Sequence, residues 1–303
     1  MTARGLPALA AMAAFAACRG GRARPAHAEW TAPAPIVVRD AGFANPVGVV
    51  HDPDEDVYFV SNVNGRPGVA DDNGFISVLS DRGEVLNLKW IDGTRDSITL
   101  NAPTGVAIAG GHLFAADINT IRRFDLRTGA AAGEIMIPHA ASLAGMTSAR
   151  DGSIYFTDSG SDTESGGSSG AGAGAVYRLR PDRRLDTLMR GAELGHPTAI
   201  AVTGDSVWVS NRSGEVFRIA DGARHDIVKL PRGGVDGLIV FGGEAFVASG
   251  EARAILRGRL GGPFQVLLGD LDGPAHIGHD IWRNRILVPL PGANEVEIVR
   301  LAF

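Results

Sequence analysis

The chain has very little cysteine, and this limits the kind of fold it can adopt. Cys18 is the one cysteine among 303 residues, so no disulfide can form within the chain. No run reaches the roughly 18 apolar residues that a membrane-spanning helix needs. The sequence also lacks a G-x-S-x-G element, a zinc-like Cys/His cluster and a phosphate-binding loop. These absences exclude disulfide-stabilised folds and several common catalytic classes.

Aromatic residues and strongly biased charge are also scarce. Aromatic residues make up 6% of the chain, and the net charge of −5 arises from interspersed charges of both signs. We therefore expect no nucleic-acid-binding face. Gly is abundant, with 41 residues, which suits many tight turns between short strands.

The first 35 residues have the composition of an export signal followed by a tether. A basic residue precedes the Ala/Leu-rich run LPALAAMAAFAAC, which has signal-peptide length. The tripeptide ending at Cys18 resembles a bacterial lipobox, whereas AHA ending at Ala28 offers an ordinary cleavage site. We expect residues 1–18 to be a signal peptide, with Cys18 as a candidate lipidation site, and residues 19–35 to be a flexible tether. The mature protein would then be periplasmic or extracellular, with membrane attachment only through a lipid on Cys18.

Residues 36–303 repeat a pattern of three short strands. Its clearest copy, HPTAIAVTGDSVWVSNRSGEVFRIADG, spans residues 196–222 and contains two hairpin turns. Six copies occur, about 46 residues apart, which is within the ~40–50 range of propeller blades. They align on the residue that opens the first strand: Gly48, Gly105, Gly145, Ala199, Gly237 and His276. The pattern predicts an all-β fold, a six-bladed β-propeller.

The ends of the chain and two insertions complete this prediction. The last repeat supplies only three strands, so we expect the lone strand at residues 36–39 to be its outer strand and to close the ring. Insertions at residues 62–74 and 159–174 both follow the second strand of a blade. They should rise from one face of the disc, and that face is the expected binding face.

The candidate site lies where each innermost strand meets the central channel. The residues just before the aligned positions are Val47, Thr104, Ala144, Thr198, Asp236 and Ala275. Asp236 is the only ionisable residue in this ring, and it could hold a divalent cation, act as a general base, or cap its own turn. In the stretch His276-x-x-His279, residues three apart on a strand point to opposite faces, so we expect His276 to face the channel and His279 to face away.

Polar residues also recur at the end of the second strand in several blades. These are Asn62, Asp117, Asp158 and Asn211. Because the same kind of residue returns in different blades, we expect these side chains to bond turn backbone rather than a ligand.

The repeats VTGDSVWVSN, ARDGSIYFTDS and VDGLIVFGGEAFVASG resemble those of the senescence-marker-protein/gluconolactonase/luciferin-regenerating-enzyme family, with NHL-type propellers close by. The resemblance covers residues 36–303. It implies one divalent cation held in the channel by a Glu, an Asn and an Asp, with a further Asn for the substrate. The Asp matches Asp236, but the Glu position falls on Val47, the metal Asn on Thr198 and the substrate Asn on Ala144. A divergent site is therefore expected.

Three hypotheses about function follow. The first is an exported, monomeric propeller that binds a small molecule or a protein partner at the channel mouth through Asp236, His276, Thr104 and Thr198. The second is a lactonase or esterase that depends on one divalent cation, Ca²⁺ or Zn²⁺, with Asp236 as a ligand and His276 as a ligand or base. The third is a protein-docking platform that uses the two insertions.

Overall fold

The computed structural model describes Met1, residues 34–160 and residues 173–301. The predicted signal peptide, Cys18 and nearly all of the tether lie outside the described residues, as do residues 161–172 of the second insertion. Contacts group Pro33–Phe303 into one compact unit, distinct from Met1–Ala32. Within the described ranges, no helix has the length and hydrophobicity that crossing a membrane would require.

The described residues form six four-stranded antiparallel sheets, as the repeat pattern predicts. Strand β1 (Ile36–Val38) precedes blade one, which consists of β2 (Pro46–Asp52), β3 (Val57–Asn62), β4 (Phe75–Ser80) and β5 (Val85–Asp92). Blade two consists of β6 (Pro103–Ala109), β7 (His112–Asp117), β8 (Thr120–Asp125) and β9 (Ala131–Met136). Blade three consists of β10 (Leu143–Ser148), β11 (Ile154–Asp158), β12 (Ala175–Leu179) and β13 (Leu185–Arg190), followed by a short 3₁₀ helix (Ala192–Leu194).

The remaining three blades follow the same order. Blade four consists of β14 (Pro197–Thr203), β15 (Ser206–Asn211), β16 (Glu215–Ala220) and β17 (Ala223–Lys229). Blade five consists of β18 (Val235–Phe241), β19 (Glu244–Ser249), β20 (Ala254–Arg259) and β21 (Phe264–Leu268). Blade six consists of β22 (Gly278–Asp280), β23 (Arg285–Leu290) and β24 (Glu295–Arg300), completed by β1.

The N-terminal strand closes the ring as predicted. In blade six the strand order is β1-β24-β23-β22, and β1 pairs with β24 in the register Ile36↔Ile298 and Val38↔Val296. Val38 and Ile298 are buried in one cluster with Tyr58 of blade one. Closure thus pairs the first and last strands of the propeller within blade six, and their buried side chains pack against blade one.

Hydrophobic clusters lie between neighbouring blades. There are six such clusters among the described residues, one at each blade–blade contact. Between blades one and two, for example, Phe59 and Ile76 pack with Phe124. Because a blade is covered on both faces, its second strand carries a continuous apolar stretch, such as VWV in β15.

The glycines that open the innermost strands are required by close packing around the channel. A Cβ added at Gly48 would lie within 3.0 Å of the Thr104 carbonyl oxygen, and one at Gly105 within 3.0 Å of the Ala144 carbonyl oxygen. A side chain at these positions would therefore push neighbouring innermost strands apart. The residue on which the repeats align is thus the point where adjacent blades come closest.

The polar residues at the ends of the second strands bond backbone, as expected. The Asp117 carboxylate accepts hydrogen bonds from the backbone N–H groups of Asn101 (3.1 Å) and Ala102 (2.8 Å). The Asp158 carboxylate accepts one from Ser142 N–H at 2.9 Å. These side chains hold the chain segment that enters the innermost strand of their own blade.

A charged network strengthens the contact between blades six and one. Arg283 donates to both carboxylate oxygens of Asp56 at 2.7 and 2.6 Å and also pairs with Asp81 at 3.2 Å. Beneath it, the Tyr58 hydroxyl donates to the fully buried Asp280 at 2.7 Å. The Arg283 guanidinium holds the pKa of Asp56 down to about 2, while burial opposes this shift.

Candidate functional site

Asp236 and His276 come together at the start of two adjacent innermost strands. Asp236 is the second residue of β18, and His276 precedes β22 and forms an isolated parallel bridge with Gly48. The His276 N–H donates to the Val47 carbonyl at 2.9 Å, and its ring hydrogen-bonds to the Asp236 backbone. This placement is consistent with the prediction that the two residues lie together at the channel mouth.

The Asp236 carboxylate lies in an unusual environment. It is largely buried, yet part of its surface remains accessible, and no described residue donates a hydrogen bond to it. Burial raises its pKa to about 6, and the positive charge of Arg212 offsets only part of this rise. Asp236 does not bond its own turn, so the turn-capping interpretation finds no support in the geometry.

The His276 ring carries a second group without a partner. Its Nδ1 atom is buried and has no hydrogen-bond partner within the described part of the chain. Burial lowers the ring pKa to about 4, against the opposing effect of the bond to the Asp236 backbone. At neutral pH the ring is therefore neutral. The protonated nitrogen then faces the backbone carbonyl of Asp236, not its carboxylate, and Nδ1 carries the lone pair of an acceptor.

The hydroxyl groups of Thr104 and Thr198 join blades together. Thr104 Oγ1 donates to the Leu143 carbonyl at 3.0 Å, and Thr198 Oγ1 donates to the Val235 carbonyl of the next blade. Thr198 is only 2% exposed. Both residues lie at the predicted end of the channel, but their donors are already used by the next innermost strand.

Sequence reasoning missed a related set of hydroxyls on the second strands. Ser61 Oγ donates to the Thr104 carbonyl at 2.6 Å, and Thr157 Oγ1 donates to the Thr198 carbonyl at 3.1 Å. With the two threonines they form a band of blade-to-blade hydrogen bonds around the channel. The repeated Ser or Thr before the end of strands β3 and β11 was the signal that could have identified them.

The divalent cation implied by the family resemblance does not fit the residues present. Val47 offers no ligand atom where that family has a Glu, and the Thr198 hydroxyl is buried and bonded to Val235. Asp236 alone matches. Among the described residues, no group of three or more His, Cys, Asp or Glu side chains is placed to hold a metal ion.

The opposite end of the channel contains two adjoining cavities that the sequence analysis did not anticipate. One has a volume of about 820 Å³ and lies among the hairpin turns of blades three, four and five; the other, of about 280 Å³, lies in the channel itself. His279 is among the residues that border the channel cavity, and its ring stacks on Phe241 with ring centroids 3.7 Å apart. β22 begins only at Gly278, so His276 and His279 do not lie on one regular strand.

Comparisons with known proteins bear on the fold. No protein-family model and no curated protein matches the chain. A gluconolactonase from Xanthomonas campestris is similar in structure, with a TM-score of 0.64 and 20% identity, over 88% of this chain and 89% of that chain. A luciferin-regenerating enzyme gives 0.62 at 10% identity, over 88% and 96%. Virginiamycin B lyase from Staphylococcus aureus gives 0.59 at 15% identity, over 86% and 96%. The chain therefore shares its six-bladed propeller fold with gluconolactonase-like proteins, as the resemblance of its repeats predicted.

Proposed function

We propose that this propeller binds a neutral, polyhydroxylated small molecule at the channel mouth formed by Asp236 and His276. The observation that carries the proposal is a pair of adjacent acceptors to which no residue of the described ranges donates, the partly accessible Asp236 carboxylate and the buried His276 Nδ1. Leaving buried acceptors unpaired costs free energy, which a ligand with two suitably spaced hydroxyl groups would recover.

The charge around the two acceptors favours a neutral ligand over a cationic one. The positive charge of Arg212 acts on Asp236 and lowers its pKa, which partly balances the carboxylate. His276 is uncharged at neutral pH because its pKa is about 4. At neutral pH the mouth thus presents a carboxylate whose charge Arg212 partly balances beside a neutral histidine acceptor, and hydroxyl donors suit both groups.

The structural neighbours support a ligand of this class. One is named as a gluconolactonase, and its fold extends over 88% of this chain. Polyols and sugar lactones supply several adjacent hydroxyl donors on a small frame, as the two acceptors require.

Hydrolysis of a lactone or ester is the second candidate function. A carboxylate with a pKa of about 6 is ionised at neutral pH and basic enough to accept a proton from water, as a general base must. A route that depends on a divalent cation lacks support, because the ring supplies only Asp236 as a ligand. The docking hypothesis rests largely on residues 161–172, outside the described part of the chain, and no contact favours it.

Export remains a proposal that rests on the N-terminal sequence. The mature chain should begin at Cys18 with a lipid or shortly after Ala28 without one. Intact mass and N-terminal peptides of the protein from fractionated cells would distinguish the two sites. A full-length chain in the cytoplasm would contradict both.

Calorimetric titration with D-glucitol and with D-glucono-1,5-lactone tests the binding proposal. We expect the wild-type protein to bind at least one of them. Asp236→Asn should weaken binding by 10-fold or more, since hydrogen bonds to a charged group contribute about 1.5–3 kcal/mol. His276→Leu should weaken binding by about 2- to 10-fold, the range of one neutral hydrogen bond. Asp205→Asn, an exposed carboxylate on the opposite face, is the matched control.

A parallel pH-stat assay of lactone opening separates binding from turnover. Opening above the spontaneous rate that is lost in Asp236→Asn would support the hydrolase. Binding without turnover would support the binding protein. Equal affinity in the wild type and both site variants would overturn the channel-mouth proposal.

A further inference from the structure

Val47 occupies the same place in blade one that Asp236 occupies in blade five. The pairing of β2 with β3 skips Val47, and the pairing of β18 with β19 skips Asp236, so each residue is the extra one in a β-bulge. Both side chains are partly accessible, whereas the residues on either side of them are buried. Bulges re-aim a side chain and occur next to binding sites, which places Val47 in the wall of the channel mouth together with Asp236.

The side chain of Val47 is not used by the core. Hydrophobic clusters fill the spaces between the blades, and among the described residues Val47 belongs to none of them. By contrast, Val50 of the same strand packs against the cluster between blades one and two. The apolar surface of Val47 is therefore available to a ligand in the mouth.

Val47 lies two strands away from Asp236 around the ring, with His276 between them. The His276 N–H donates to the Val47 carbonyl at 2.9 Å, and a Cβ added at Gly237 would clash with the Ala275 carbonyl oxygen. The innermost strands of blades five, six and one therefore touch in turn. Two strand spacings of about 4.8 Å, at the angle between neighbouring blades of a six-bladed ring, place Val47 roughly 8 Å from Asp236.

The other ring positions, all within the described ranges, present no open polar side chain. Ala144 and Ala275 are apolar and buried. The hydroxyl groups of Thr104 and Thr198 already donate their protons to carbonyls of the next blade. The polar character of the ring is thus concentrated at Asp236.

A ligand that spans the mouth meets a polar wall at one end and an apolar wall at the other. A hydroxyl group placed against Val47 would give up bonds to water without gaining a partner, which is unfavourable. A methyl group in the same place would bury apolar surface, which is favourable. The separation of Val47 and Asp236 is close to the length of an extended six-carbon chain.

We propose that the ligand of the mouth is a deoxy sugar alcohol or a deoxy sugar lactone, with hydroxyl groups at one end and a methyl group at the other. This inference rests on the proposed function, because it takes Asp236 as the group that receives the hydroxylated end. Val47 receives the methyl group and is the residue that determines specificity.

D-glucitol and 6-deoxy-D-glucitol are the probes, because they differ in one terminal hydroxyl group. In calorimetric titrations the wild-type protein should bind 6-deoxy-D-glucitol about 3- to 10-fold more tightly, the range expected for burial of one methyl group. Val47→Thr keeps nearly the same shape but places a hydroxyl group on the wall, so it should remove or reverse this preference. Val50→Thr is the matched control, since Val50 is a partly accessible valine three residues further along β2, and it should keep the preference.

The outcomes separate this inference from the proposed function. Equal affinity for the two probes, or tighter binding of D-glucitol, in the wild type would overturn the apolar contact and leave polyol binding at Asp236 standing. A preference for the deoxy probe that persists in Val47→Thr would overturn the role of Val47. If the wild type binds neither probe, this inference and the proposed function both fail. The comparison of the two probes in the wild type decides the question even if Val47→Thr does not fold.

Discussion

Asp236 and His276 should make opposite contributions to the pH dependence of stability. An aspartate whose pKa is higher in the folded state stabilises the fold below its unfolded pKa, and this contribution is lost as the pH rises through the folded pKa. A histidine whose pKa is lower in the folded state behaves in the opposite way, and its penalty grows as the pH falls below 6.5. The two effects should largely cancel in the wild-type protein.

The magnitudes follow from the two environments. The pKa of Asp236 rises from 3.8 to about 6, roughly two units, and at 1.36 kcal/mol per unit this is ~3 kcal/mol as an upper bound. Because part of the carboxylate remains accessible, we expect about 2 kcal/mol. The pKa of His276 falls from 6.5 to about 4, which gives a similar upper bound of ~3 kcal/mol.

Urea unfolding of the wild type, Asp236→Asn and His276→Gln between pH 3.5 and 8 measures these terms. Relative to the wild type, Asp236→Asn should gain about 2 kcal/mol of unfolding free energy between pH 4 and 6, and hold that gain at higher pH. His276→Gln should gain a similar amount as the pH falls from 6.5 to 4. The exposed Asp205→Asn variant is the control, and its difference from the wild type should not change with pH.

Parallel curves for the wild type and Asp236→Asn would refute the reasoning. They would mean that Asp236 is solvated in the folded state as it is in the unfolded state. The argument for an unpaired, destabilising acceptor at the channel mouth would then fail. If Asp236→Asn instead raises the unfolding free energy, the result would support a functional role for Asp236, because the wild-type residue then lowers the stability of the fold.

Three further substitutions test the packing of the ring. Gly105→Ala should lower the unfolding free energy by about 1–3 kcal/mol, because its Cβ would overlap the Ala144 carbonyl. Gly262→Ala is the control and should change it far less, since a Cβ there has no contact under 3.4 Å. Equal effects of the two substitutions in urea unfolding would contradict the packing argument. Arg283→Met should lower the unfolding free energy by about 1–2 kcal/mol at pH 7 and by less near pH 2, where Asp56 loses its charge. Arg253→Met, at an exposed ion pair, is the control and should lower it by under about 0.5 kcal/mol. An effect of Arg283→Met that does not change with pH would count against the ion pair. Tyr58→Phe should lower the unfolding free energy by about 1–3 kcal/mol in thermal or urea unfolding, since it removes a donor from the buried Asp280 carboxylate. An unchanged unfolding free energy would mean that another donor takes the place of the Tyr58 hydroxyl.

The sequence was sufficient to predict the ring because its signals are local and repeated. Turn residues mark each hairpin, and the opening glycines mark where blades meet. Closure by β1 followed from counting three strands in the last repeat. Each of these inferences needed only the chain order and the rule that a sheet edge must be covered.

The details of the site were harder to predict because they depend on contacts between blades. Thr104 and Thr198 were predicted as ligand contacts, but nothing in the chain order shows that their hydroxyls meet carbonyls 37 to 39 residues away. β22 has only three residues, so the regular alternation of side chains that the sequence argument assumed does not extend from His276 to His279. The cavities at the end of the channel opposite Asp236 are lined by residues of all six blades, so no single repeat contains a sign of them.

The most direct test of the central claim is the ¹⁵N NMR spectrum of the histidine side chains during a titration with D-glucitol. The account predicts that His276 Nδ1 begins as an unprotonated acceptor and that its resonance moves on binding, while the resonances of His279, at the other end of the channel, stay fixed. Polyol binding that leaves His276 unchanged, or a lack of binding by D-glucitol and D-glucono-1,5-lactone alike, would contradict it.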